Sequence, residues 1–263
     1  MPVRSQAGFW HQLAIQRRVI WALVMREMIT RFGREGLGVV WLVGEPAMFI
    51  VGVMVIFSAI DATRDGISMA EYLAVSYPTL LLWRNTTGRV AKALEVNAAL
   101  LHLNPIRPVD LFYSRILLEF SGAIASFLIL YLVFVALGIC QWPADVLLMT
   151  TGYLMVVWFS FGFVMIMGAL SELSETIDRV SHIILYLMLP FSGVFIPAHL
   201  VPAQFRDLML LFPLLDSVEM FHAGYFGERM ITFYSVTYTM AANLLMTFAG
   251  LLLTNIAIRR VKT

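Results

Sequence analysis

The sequence is poor in charge and nearly free of cysteine. Asp, Glu, Lys and Arg make up 13% of its 263 residues, whereas hydrophobic residues make up 60%. A water-soluble chain of this length needs far more polar surface, so the composition predicts an integral membrane protein. The single cysteine, Cys140, excludes an intrachain disulfide. The net charge of only +1 gives no sign of a nucleic-acid partner.

Several motifs that mark enzymes are also absent. The sequence contains no GxxxxGK[ST], so the chain is not expected to bind ATP through a P-loop, and it contains neither HExxH nor GxSxG. The histidines are scattered along the chain, at His11, His102, His182, His199 and His222. We therefore expect neither a metal site nor a cofactor in this chain. The lack of a paired acid–base constellation also disfavours an enzyme.

Long apolar runs dominate what is present, and crossing a hydrocarbon layer about 30 Å thick takes roughly 20 residues. The runs cover residues 38–60, 70–87, 112–139, 146–170, 180–196 and 233–258. The second and fifth are weak because they contain Pro78 and Pro190. Counting both as spans places fifteen of the eighteen basic residues in alternate connections. That positive-inside pattern predicts six transmembrane helices in one domain, 1–263, with both termini cytoplasmic.

Residues 8–34 have the pattern of an amphipathic helix. Apolar side chains recur three and four residues apart, and arginines take the other positions. The apolar stripe is Trp10, Leu13, Ile20, Leu23, Val24 and Met28, and the arginines are Arg17, Arg18, Arg26 and Arg31. We expect this helix to lie in the cytoplasmic interface with its arginines toward lipid phosphates. A helix that only anchors the topology is the alternative.

Residues 84–110 form the longest predicted cytoplasmic connection after the N-terminus. An apolar stripe predicts a short helix over 90–103, and Asn104-Pro105 and Arg107-Pro108 end it because proline lacks a donor. The stripe consists of Val90, Leu94, Ala98 and Leu101. Such a helix suits docking of a cytoplasmic partner, and a plain connector is the alternative.

Residues 197–230 are too apolar for an ordinary loop and too interrupted for a span. Pro202 and Pro213 divide them into pieces of about ten residues, each about 15 Å long, or half of the hydrocarbon. Asp216 and Glu219 have the spacing of a capping box. We predict a re-entrant helical hairpin that dips in from the outer face, beside a pathway or over its mouth. Two helices lying flat on the outer surface are the alternative.

Polar and aromatic residues inside the spans are candidates for a transport path. A lipid-facing acidic residue near mid-membrane costs about 3 kcal/mol, so Glu45 should face protein or water. It shares a helical face with Trp41 and Phe49, while His182 and Tyr186 share another face with Pro190 and Gly193. Aromatic rings beside hydrogen-bonding groups would suit a slide for sugar rings. Ordinary helix packing is the competing explanation for both stripes.

Two segments carry a combination of residues typical of one transporter family. Residues 25–49 contain Arg26-Glu27, Arg31, Leu37-Gly38, Trp41 and Pro46. Residues 177–227 contain Asp178-Arg179, SGVFIP, Pro202 and LLFPLLDSVEMF. In both segments the chain resembles permeases of type-2 ABC exporters for bacterial surface polysaccharides, and it is most similar to their capsular polysaccharide branch.

The resemblance implies a homodimer in the bacterial inner membrane whose first and fifth spans enclose a channel for a lipid-linked polysaccharide. It also implies two copies of a separate cytoplasmic subunit that binds ATP and Mg. The implied coupling residues are Arg26, Glu27, Lys92, Glu95 and His102. The implied outer gate consists of Phe205, Leu208, Met209 and Phe212. Periplasmic and outer-membrane partners would continue the export path.

Other functions fit the same residues. An exporter of the same architecture could carry O-antigen, teichoic acid, a drug or a small lipid. A stand-alone membrane acyl- or glycosyltransferase predicts turnover without an ATPase. A non-catalytic scaffold predicts no stimulated ATP hydrolysis when a partner is added.

Overall fold

The computed structural model describes residues 8–32, 40, 44, 47–52, 55–56, 63–64, 66–102 and 106–261, and these residues are mostly helical. The α-helices are α1 (Phe9–Phe32), α2 (Met69–Val90), α3 (Ala93–Val96), α4 (Pro108–Ala136), α5 (Val146–Leu173), α6 (Glu175–Leu187), α7 (Ala203–Leu210), α8 (Pro213–Phe226) and α9 (Val236–Val261). Residues 47–52 are also helical. Short 3-10 helices cover Ala98–His102, Pro190–Ser192, Ala198–Leu200 and Gly227–Arg229.

A β-hairpin with strands of two residues each is the exception to the all-α expectation within the described residues. Strand β1 (Thr63–Arg64) pairs antiparallel with β2 (Ile67–Ser68). Gly66 lies in the turn with a φ of +78°, a backbone conformation that suits glycine. Ser68 then caps α2 by accepting a hydrogen bond from the Glu71 N–H at 3.1 Å. The hairpin therefore leads directly into a helix.

Three helices of the described residues are long and apolar enough to cross a membrane: Pro108–Ala136, Val146–Leu173 and Val236–Arg260. They correspond to the third, fourth and sixth apolar runs. The shortest has 25 residues and is about 38 Å long, which exceeds the hydrocarbon thickness of about 30 Å. The first run is described only in part. The count of six spans stays a prediction.

Helix α2 begins one residue before the second apolar run, 70–87, and ends three residues after it. It continues without a break through Pro78 and Arg84 to Val90, so its 22 residues are about 33 Å long. The predicted connection 84–110 therefore begins only after residue 90. The predicted helix over 90–103 is not continuous, because Lys92 adopts a φ of +53° and separates α2 from the four-residue α3, which the 3-10 helix Ala98–His102 follows.

Helix α6 is shorter than the fifth apolar run. It has 13 residues, which span about 20 Å, and it ends at Leu187, before Pro190. Gly193 follows a 3-10 turn with a φ of +70°. Pro190 and Gly193 therefore do not share a helical face with His182 and Tyr186, as the sequence had predicted.

The core centres on α5, which packs against α9, α8, α2 and α6. At its contact with α8, a Cβ added to Gly224 would lie 2.0 Å from the Met149 backbone nitrogen. A Cβ added to Gly152 would lie 2.4 Å from the Phe221 nitrogen. Glycine therefore allows the two backbones to touch, the kind of close approach that drives helix packing in lipid. Cys140 is buried in the connection from α4 to α5.

The clipped segment before the last helix forms two helices that differ sharply in burial. None of the eight residues of α7 is buried, whereas α8 is buried along nearly its whole length. Helix α8 begins at Pro213 after Phe212, so Asp216 lies inside its first turn. The predicted capping box of Asp216 and Glu219 is therefore wrong. The re-entrant position of this segment in a membrane stays a prediction.

Candidate functional site

One end of the molecule, the α1 end, gathers polar side chains from α1, α4 and the connection between α2 and α4. Gln16 Nε2 donates to Asp110 Oδ1 at 2.9 Å. Glu27 Oε1 lies 3.4 Å from Arg115 Nε, and Arg115 also donates to the Arg89 carbonyl at 2.9 Å. Helix α1 is thus held at two points along α4.

The segment after α2 is held by the same network. Arg26 donates to Asn97 Oδ1 at 3.1 Å, and Asn97 donates to the Ala93 carbonyl at 3.0 Å. The Leu94 N–H donates to Glu172 Oε1 at 2.6 Å, which ties α3 to the end of α5. These hydrogen bonds therefore hold the segment in place despite the left-handed turn at residue 92.

Four of the predicted coupling residues meet at this end. Lys92 Nζ lies 3.5 Å from Glu95 Oε2 and 3.8 Å from Asp178 Oδ2, so it bridges α3 and α6. The side chain of Glu95 is 67% exposed. Arg26 contacts Asn97, just after α3, and Glu27 contacts Arg115 of α4. The fifth residue, His102, ends the 3-10 helix Ala98–His102.

Two of the three predicted channel residues that the structure describes, Phe49 and Tyr186, contact side chains of α2. The ring of Phe49 stacks on Tyr77 with centroids 4.2 Å apart, and the Arg84 guanidinium lies 4.8 Å from the centre of the Tyr186 ring. Tyr77 and Arg84 are seven residues apart, so they share one face of α2. The two α2 residues that these aromatics contact are therefore about 10 Å apart along the helix axis.

His182 lies one helical turn before Tyr186 on α6, and both side chains are exposed on the single chain. Trp41 and Glu45 lie outside the described residues. The face of α2 that carries Tyr77 and Arg84 was missed from the sequence. The available signal was Arg84, a charged residue that lies within α2 about one and a half turns before its end.

At the opposite end, α8 carries buried polar side chains at every third position: Asp216, Glu219, His222 and Tyr225. Asp216 accepts from the Ser235 N–H at 3.0 Å and from the Thr239 hydroxyl, which ties α8 to the beginning of α9. Glu219 accepts from the N–H groups of Ala198 at 3.2 Å and Phe233 at 3.0 Å. One carboxylate thus holds the chain both before α7 and after α8.

The next two polar residues of α8 contact α2. His222 Nε2 and Ser76 Oγ are 2.7 Å apart, and the Tyr225 hydroxyl donates to Glu71 Oε1 at 2.9 Å. Arg229 also donates to Glu71 Oε1, at 3.0 Å. Sequence reasoning missed these buried ties, although four polar residues at a spacing of three in an apolar segment were the signal.

The predicted gate residues do not form one packed stripe. Phe205 and Leu208 are 56% and 64% exposed on α7, and Met209 is half-buried. Phe212 follows the end of α7 at Leu210, and its ring packs edge-on against Phe159 of α5 at 5.7 Å. Helix α7 therefore ends two residues before the last of the predicted gate residues.

Helices long enough to cross a bilayer, an ion-paired network at one end and buried polar ties at the other define a helical multi-pass membrane protein. Within the described residues, no group of His, Cys, Asp and Glu side chains could hold a metal ion. A family model described as ABC-2 type transporter matches residues 18–226. The chain belongs to the ABC-2 type transporter family.

Relatives of this chain align over nearly its whole length. The capsule polysaccharide export inner-membrane protein CtrC of Neisseria meningitidis serogroup B is 32% identical over 252 residues, which cover 95% of each chain. The protein of the same description named BexB, of Haemophilus influenzae, is 31% identical over 254 residues, 96% of each chain. The polysialic acid transport protein KpsM of Escherichia coli is 26% identical over 90% of this chain and 92% of KpsM. The resemblance seen in the sequence is confirmed.

Proposed function

We propose that this chain is the permease subunit of an ATP-driven exporter that moves capsular, lipid-linked polysaccharide across the bacterial inner membrane. The observation that carries the proposal is the similarity to capsule polysaccharide export inner-membrane proteins over 95% or more of both chains. The chain would not be an enzyme. ATP and Mg would be bound by two copies of a separate cytoplasmic subunit.

The α1 end supports coupling to that subunit. Its surface combines the exposed carboxylate of Glu95 with the ion pairs of Lys92, while hydrogen bonds to α1 and α5 join the segment around α3 to the rest of the fold. A force applied at α3 would therefore reach both α1 and the long helices. In this proposal the α1 end faces the cytoplasm, as the basic residues predict.

The α2 face supports a transport path between two copies. Phe49 is 42% exposed and Tyr186 is 60% exposed on the single chain, and each contacts an α2 side chain. A second copy facing these residues would complete a channel lined by aromatic rings, by Arg84 and by His182. Trp41 and Glu45 are proposed to extend this lining. The exposed stripe of Phe205 and Leu208 would gate the outer exit, where periplasmic and outer-membrane partners would take over.

A deletion in the producing bacterium tests the proposed function. We expect a strain lacking this chain to lose surface polysaccharide and to accumulate the glycan inside the cell, and we expect a plasmid copy to restore export. Surface staining together with glycan measurement in cell fractions checks this. Normal surface glycan with loss of another exported lipid, O-antigen, teichoic acid or drug would assign a different cargo. Loss of glycan synthesis itself would favour a transferase.

Reversing one charge tests the docking surface. We expect Glu95→Arg to lower the amount of ATPase subunit that co-purifies with the chain by roughly tenfold, because like charges at an interface cost affinity. Its exposed pair with Lys92 contributes little to folding, so expression should not change. Glu228→Arg makes the same charge reversal at the opposite end, on an exposed residue, and should leave co-purification intact. Equal co-purification by both variants would remove Glu95 from the docking surface.

A further inference from the structure

A groove of about 810 Å³ lies between α1 and α4. Its apolar wall includes Leu13 and Trp21 of α1 and Leu117 of α4, which are 47%, 61% and 47% exposed. Arg17 and Arg18 line the same groove. Binding sites for small ligands have volumes of about 300–1,000 Å³, so the groove has the size of a ligand site.

The groove follows from the way α1 crosses α4. The two ties between these helices, Gln16 to Asp110 and Glu27 to Arg115, are 11 residues apart on α1 and five apart on α4. These intervals correspond to about 16 Å and about 8 Å, a mismatch that indicates that the helices cross at an angle. Gln16 makes the first of these ties and also lines the groove.

The two arginines provide positive charge at the groove that the described part of the chain does not neutralise. Both are exposed, and neither forms an ion pair or a hydrogen bond with another described residue. The carboxylates of the two ties have other partners. Asp110 accepts from Gln16 and from the Arg107 N–H, and Glu27 pairs with Arg115. Two cations beside an apolar wall are complementary to a molecule with an anionic head and a hydrocarbon tail.

We propose that this groove binds one anionic phospholipid of the bilayer. Arg17 and Arg18 contact its phosphate group, and one acyl chain lies along Leu13, Trp21 and Leu117. Arginine suits this role because its fork of N–H donors matches phosphate oxygens. The bound lipid fills the angle between α1 and α4 and supports the position of α1, independently of which cargo the exporter carries.

Native mass spectrometry of the full-length chain in detergent tests the proposal. Phosphatidylglycerol and phosphatidylcholine with identical acyl chains are added, and we expect phosphatidylglycerol to be retained preferentially. R17Q/R18Q should reduce its retention by roughly tenfold or more, since each basic residue near a membrane surface adds about 1 kcal/mol of attraction to anionic lipid. R179Q/R259Q removes the same charge from exposed residues outside the groove and should keep the preference. Excess inorganic phosphate should not displace the lipid.

A change of shape tests the apolar half without altering charge. Leu117→Trp should fill the groove and lower retention of phosphatidylglycerol severalfold. Leu128→Trp places the same ring three turns farther along the same face of α4, on a residue that is 51% exposed, and should have no effect. Equal retention of both lipids, or retention unaffected by R17Q/R18Q and Leu117→Trp, would overturn the proposal. Loss of dimer on Leu117→Trp with unchanged lipid would instead assign the groove to a second copy.

Discussion

Replacing Gly224 with alanine should prevent the chain from accumulating as a folded protein. The added methyl group would lie 2.0 Å from the Met149 nitrogen and 2.4 Å from its Cα, and neither backbone atom can rotate away. Overpacking of a core by one or two methyl groups costs about 1–3 kcal/mol when side chains can adjust. Here α5 and α8 must separate, so we expect a larger cost.

The same separation would break hydrogen bonds at this contact. The Asp145 N–H donates to the Gly224 carbonyl at 2.8 Å, and the Ala144 N–H donates to the Tyr225 carbonyl at 3.1 Å. We expect Gly224→Ala to lose its monodisperse peak in fluorescence-detected size-exclusion chromatography. The control is Gly88→Ala, because a Cβ at Gly88 would meet no atom within 4 Å. Alanine within a helix gains about 0.5–1 kcal/mol over glycine, so this control should match or exceed the natural chain. A monodisperse Gly224→Ala protein of unchanged Tm would contradict the packing described.

Glu219→Ala should lower the Tm and abolish export together. Glu219 is fully buried, and its carboxylate accepts hydrogen bonds from the Ala198 and Phe233 N–H groups. Leaving a buried donor without a partner costs about 1–3 kcal/mol, so the two donors together predict a loss of about 2–6 kcal/mol. These donors precede α7 and follow α8, so the change would release both ends of the segment that we propose as the outer gate.

Two variants accompany that measurement. Glu219→Gln keeps one acceptor oxygen in nearly the same volume and should fall between the natural chain and Glu219→Ala. Asp207→Ala removes a carboxylate of α7 that is 74% exposed. Because an exposed ion pair such as the one with Arg206 contributes little to stability, this variant should leave the Tm unchanged. Thermal melting in detergent and surface glycan per cell are the two readouts. A Glu219→Ala protein with normal stability and normal export would show that this carboxylate is not a tie.

The long apolar helices were predictable because hydropathy and length alone determine them. Runs 112–139, 146–170 and 233–258 correspond to Pro108–Ala136, Val146–Leu173 and Val236–Val261. The boundaries differ where local contacts decide them. At α4 the Arg107 N–H donates to Asp110, which begins the helix earlier than hydropathy suggests. At α5 Asp145 caps the Leu148 N–H, and here the predicted boundary is right.

The polar features were harder to predict because long-range contacts create them. The stripe over 90–101 has helical period, yet one left-handed residue, Lys92, breaks the helix and no periodicity reveals it. Asp216 and Glu219 looked like a cap because their spacing is local, whereas their actual partners lie 14 to 23 residues away. The coupling residues came from family resemblance, and the structure groups four of them. The alignment of Phe49 and Tyr186 along α2 required the folded chain.

The buried position of Cys140 has a practical use. Only 4% of this residue is exposed, and burial raises the pKa of its thiol to about 12, so the reactive thiolate is nearly absent at neutral pH. The natural chain should therefore react very little with maleimide reagents. A single cysteine installed at the exposed positions of Glu95 or Leu208 would react alone, and an impermeant reagent would then report on which side of the membrane each of those positions lies.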